Sequence, residues 1–66
     1  METYRYIRWI DGSPIEMGNV SGEVARAIIA TATFMGGEED WDMHDGSHLI
    51  RDWSTRAEVI RLVPNR

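Results

Sequence analysis

The chain has 66 residues, no cysteine and a formal net charge of -4. That length allows one domain, 1–66, whose core removes only about 60% of the unfolded chain's surface from water. Without cysteine, disulfides and thiolate zinc sites are excluded, and association with itself or with another protein is the remaining staple.

Residues 3 to 10, TYRYIRWI, are rich in aromatic and β-branched types and predict a first strand. Tyr4, Tyr6 and Ile10 fall on one face of it, Ile7 and Trp9 on the other. Asp11-Gly12-Ser13-Pro14 is a turn: aspartate bonds the backbone ahead of it and glycine accepts positive φ. A short second strand, Ile15 to Met17, pairs back, with Pro14 confined to its edge. Ser21 is the expected N-cap of a helix from Gly22 to Phe34, with Glu23 in the first turn and Gly36-Gly37 as the stop. Its polar stripe is only Glu23, Arg26 and Thr33. A helix on one sheet needs an apolar arc of roughly 100°, and this one has more. The surplus predicts a homodimer, with Ala25, Ile29 and Ala32 at the two-fold axis and Ala30 beside them.

Residues 38 to 48, EEDWDMHDGSH, read as a solvated acidic loop. His48 to Trp53 forms the next strand, Ser54-Thr55-Arg56 a tight connection, and Ala57 to Val63 the last strand before Pro64. The expected fold is α+β: a four-stranded antiparallel sheet on one helix, ordered ββαββ, with βαββ as runner-up. The expected core is Ile7, Ile15, Val24, Ile28, Leu49, Ile60 and Leu62, with one aromatic from Tyr4, Tyr6 or Trp9.

Charge is local. Five carboxylates, Glu38, Glu39, Asp40, Asp42 and Asp45, crowd into eight residues, and without them six acids meet seven arginines. Metal binding is weighed first, because His44 and His48 are four apart among these oxygen donors. Gly46 argues against a helix that would align the imidazoles. A calcium loop of the EF-hand type needs glycine sixth and glutamate twelfth, whereas counting from Asp40 gives Asp45 and Arg51. No metal or other cofactor is therefore expected. Nor is an enzyme: Ser47 and His48 are merely neighbours, and the chain has little room for a pocket of about 300 Å³. No apolar stretch of about 18 residues could cross a membrane, and METYRYIRWIDG lacks a signal core, so the expected location is the cytoplasm.

Two binding readings remain, besides a purely structural homodimer. Tyr4, Arg5, Tyr6, Arg8 and Trp9 interleave aromatics with arginines, as sheets that bind single-stranded nucleic acid do. The acidic balance opposes this, since such modules carry a basic patch. The favoured reading is a non-enzymatic protein-binding module in which Glu38, Glu39, Asp40, Asp42 and Asp45, with Trp41 as anchor, dock on a basic protein surface. Where that surface is a nucleic-acid channel, the carboxylates can take phosphate positions. In size, acidity and lack of catalytic equipment, the chain resembles the small accessory proteins of phages and other mobile elements, many of which inhibit by binding.

Overall fold

The computed structural model describes residues 2–65. Its order is β1 (Thr3–Ile10), β2 (Ser13–Ser21), α1 (Gly22–Phe34), β3 (Gly37–Asp42), β4 (Ser47–Asp52) and β5 (Glu58–Pro64). The strands form one antiparallel sheet, β2-β1-β5-β4-β3, so β5 returns to the middle and joins two hairpins edge to edge. The α+β class and the helix bounds are as expected, but the sheet has five strands, so ββαββ lacks one and βαββ lacks two. The missing strand is β3. Its run of carboxylates reads as a loop because aspartate and glutamate are depleted in strands. An edge position and cross-strand cations nevertheless hold it there.

The turns follow their residues. Asp11 and Gly12 both take positive φ, 50° and 80°, which is the type I′ geometry that matches strand twist in a two-residue hairpin. This tight closure extends β2 from the expected Ile15–Met17 to Ser13–Ser21, with Pro14 on the sheet edge. After β4, Asp52 Oδ1 accepts from the Ser54 and Thr55 N–H groups and from the Ser54 hydroxyl. Ser21 Oγ caps α1 by accepting from Val24 N at 3.2 Å, and Gly36 at φ 98° ends it.

The helix begins at the Ser21 end of one edge strand and ends beside Gly37, at the opposite end of the other edge strand. It therefore crosses one sheet face diagonally. On its underside Ala25 meets Ile50, Ile60 and Leu62 of the sheet to form the buried cluster, with Tyr4, Tyr6, Val20, Ile28, Ile29, Ala32 and Val59 packed around. Ala25 (2% exposed), Ile29 and Ala32 thus lie against the sheet, not on the helix's outer face where the dimer axis was expected. The helix does carry surplus apolar surface, but on another flank: Val24, Phe34 and Met35 are exposed. Ile15 and Val24 are likewise outside the core in which they were expected, and Ile50 and Ala25 take their place. Leu49 is also buried, but its neighbour Ile50 faces the helix, so Leu49 faces the other way, flanked in register by Asp40 and Arg61.

A diagonal helix leaves two corners of its sheet face uncovered. One lies at the β3–β4 side, where Glu2, Tyr4, Arg26, Glu39 and His48 stand beside Ala25, Ile29 and Ala30, so it is mixed in character. The other, over the Ile10 end of β1 and the start of β5, is an apolar groove. Among the described residues no helix is long and apolar enough to cross a membrane.

Candidate protein-contact site

The five acidic residues and Trp41 belong to the β3–β4 hairpin, four of the acids and Trp41 on edge strand β3 and Asp45 in its turn. Strand alternation divides them. Glu39 pairs in register with Ile50 and Trp41 with His48, which puts both on the helix side; Glu38, Asp40 and Asp42 face away from it.

These carboxylates are engaged rather than loose. Glu38 meets Arg56 through both oxygens at 3.1 and 3.0 Å, Asp40 lies 3.6 Å from Arg51 Nε, and Glu39 Oε2 is 3.0 Å from His48 Nδ1. Arg61 lies centrally: it donates to both Glu58 oxygens and reaches Asp42 and Asp45 at 3.5 and 3.7 Å. Val59 is the extra residue of a bulge in the β4–β5 pairing, which turns Glu58 onto the Arg61 side. The pairs of Glu38, Asp40 and Arg61 lie on the side of the sheet to which Leu49 points, and Glu39–His48 lies on the helix side. Glu58 beside Arg61 raises the guanidinium's pKa above its ordinary range. The Ser47 hydroxyl and N–H hold Asp45 below the usual carboxylate range, and Ser54 with Thr55 does the same for Asp52. The exposed pairs Glu38–Arg56 and Asp40–Arg51 are worth about 0–1 kcal/mol each, so a foreign cation can compete for them.

The apolar part is well displayed. Trp41 is 60% exposed, its ring edge-on to His48 at 4.8 Å between centroids, and Met43 in the adjoining turn is 90% exposed. Backbone donors along this stretch are partly satisfied locally: Asp40 Oδ1 accepts from Trp41 N, and Asp42 Oδ1 from His44 N. Self-capping and negative charge blunt an edge against strand addition. The contact this site offers is through side chains.

Sequence reasoning missed the cations Arg51, Arg56 and Arg61 as partners of the acidic run, and missed Met43. Period-2 alternation was the available signal: Glu38, Asp40 and Asp42 share one face once the run is a strand. Arg8 pairs with Glu16 across β1 and β2 (3.2 Å), Arg61 with Glu58 within β5 (3.0 Å), and Asp52 serves the turn after β4. His48 turns to Glu39 and the Tyr4 and Trp41 rings, and the described residues contain no group of three or more His, Asp or Glu placed to hold a metal ion.

The β1 aromatics are differently placed. Tyr4 and Tyr6 pack against the core cluster, and burial raises both phenol pKa values. Arg8 is paired with Glu16, and Tyr6 donates to the same carboxylate at 3.4 Å. Both rings are half-buried, Tyr4 at the edge of the β3–β4 corner and Tyr6 at the edge of the apolar groove. No match was found when the chain was compared with protein-family models, with curated proteins or with solved structures.

Proposed function

We propose that this chain is a non-enzymatic protein-binding module that docks its β3–β4 hairpin on a basic protein surface, inhibiting or regulating a nucleic-acid-binding partner by taking the place of phosphates. The observation that carries the reading is the exposed Trp41 set among Glu38, Glu39, Asp40, Asp42 and Asp45 on a single hairpin. Residues 37–64 hold seven carboxylates against three arginines, which equals the net charge of the whole chain. Such a field steers association, while a desolvated aromatic holds the complex.

The test is a pull-down from the native host with three baits: the wild type, Trp41→Ala, and a triple amide variant of Glu38, Glu39 and Asp40. A partner retained by the wild type should elute with salt and be lost with Trp41→Ala, which should cost about 2 kcal/mol of affinity through faster dissociation. The amide variant should associate more slowly, with the difference fading at high salt. A partner bound equally by all three baits would refute the assignment. A salt-sensitive mobility shift with single-stranded oligonucleotides would favour the nucleic-acid reading instead.

A further inference from the structure

The apolar corner has no internal solution. Its groove, about 690 Å³, runs between α1 and the sheet and is walled by Trp9, Ile10, Val24, Thr31, Met35 and Val59, over a floor of Ile50 and Ile60. Among the described residues Arg8 and Asp52 are its only charged lining, and both are engaged: Arg8 with Glu16 and Asp52 with the turn after β4. None of the hairpin's five carboxylates lines it. Beside the groove the outer flank of α1 rises as an apolar ridge, with Ala27 exposed, Phe34 89% exposed and Met35 78% exposed.

We infer that this corner is covered by a second copy of the chain, α1 packing antiparallel against α1 of the partner subunit across Ala27 and Thr31. Three observations select that occupant. First, a folded monomer of 7.6 kDa is expected to expose about 4,300 Å², whereas this chain exposes 4738 Å². Second, five of the nine large hydrophobics exposed among the described residues, Ile10, Val24, Phe34, Met35 and Trp53, line or adjoin the groove. Phe34 and Trp53, which lies against Gly36 at the groove's end, together bare about 300 Å² at the usual size of aromatic side chains. With Met35, Ile10 and Val24 the patch approaches the ~800 Å² that each partner gives to a stable interface. Third, the surface is self-complementary. A ridge flanked by its own groove is what an isologous two-fold requires, because each copy supplies both shapes. Small side chains at Ala27 and Thr31 let the helices approach, and the antiparallel crossing carries each Phe34 over Val24 of the partner subunit. The chain has no disulfide to supplement so small a core, which makes burial of this patch the available stabilisation.

The experiment is sedimentation equilibrium of the full chain from about 1 to about 200 μM, with thermal melts at both ends of the range. The wild type should pass from monomer to dimer, and its melting temperature should rise with concentration. Phe34→Glu and Thr31→Glu, both at exposed helix positions, should stay monomeric throughout while keeping the wild-type circular dichroism. Arg26→Glu, on the polar flank, should dimerise as the wild type does. A wild type that is monomeric at every concentration overturns the inference, including the case in which a foreign protein fills the groove. Dimers of undiminished affinity in both glutamate variants overturn it too, by moving the interface elsewhere.

Discussion

The two hairpins joined by β5 solve the same problem with opposite chemistry. The β1–β2 hairpin, closed by Asp11-Gly12, carries few charges; Arg8 and Glu16 pair with each other, and Ile10, Ile15 and Met17 stay exposed. The β3–β4 hairpin puts a charge at nearly every second position and satisfies it locally, through Arg51, Arg56, Arg61 and His48. The corner of the sheet face next to each hairpin inherits that character. Ion pairs and ring contacts such as His48–Glu39 and Tyr4–His48 pair the polar groups of the β3–β4 corner within the chain. Apolar groups have no local equivalent, since only more surface can cover surface. One sheet face therefore presents a corner whose polar groups are paired within the chain beside an apolar groove that the chain leaves uncovered.

The largest expected effect tests whether both hairpins depend on the core between them. Ile50 is fully buried on β4 and also floors the apolar groove. Ile50→Ala should cost about 3 kcal/mol in urea unfolding and loosen both hairpins together. Loss confined to one hairpin would mean that the two fold as separate units.

A smaller change should separate the hairpins. Arg61 and its partners Glu58 and Asp42 are about three-quarters buried, so Arg61→Met leaves carboxylates short of their cation in a partly desolvated place. The expected cost is about 1–2 kcal/mol. Amide exchange should quicken in β3 and β4 while β1 and β2 hold near wild-type protection. Equal loss of protection in the two hairpins would contradict a charge lattice local to the acidic one.

The smallest effect is a matter of pH. Asp52 has its folded pKa lowered from 3.8, first by the Ser54 hydroxyl and then by the Thr55 and Ser54 N–H groups. A depressed carboxylate contributes stability that is present above its unfolded pKa and is lost as pH falls through the folded value. Asp52→Asn should therefore lower the urea midpoint near about pH 5, and the gap to wild type should close toward about pH 2. A gap that stays constant over that range would remove the carboxylate's charge from the account.

Local signals were legible wherever neighbouring residues decide the backbone. Asp11-Gly12, the Ser21 cap, the glycine stop after α1 and the alternation of β1 define the first hairpin and the helix from sequence alone, because each acts within a few residues of itself. The surplus apolar arc of α1 was legible too, as a quantity. Which flank it occupied was not, since the angle at which a helix crosses its sheet depends on where the strands before and after it sit. Here β2 and β3 are opposite edges, so α1 runs diagonally, Ala25 turns down onto Ile50, Ile60 and Leu62, and Phe34 turns out. The acidic run shows the same limit. Strand propensity marks it as a loop, and only pairing with β4, with arginines 51, 56 and 61 drawn from residues far along the chain, makes it an edge strand. Sequence by itself determined the local turns, the helix and the location of the charge; tertiary structure decided which surfaces those elements leave bare, because burial is a property of pairs of elements and not of either one.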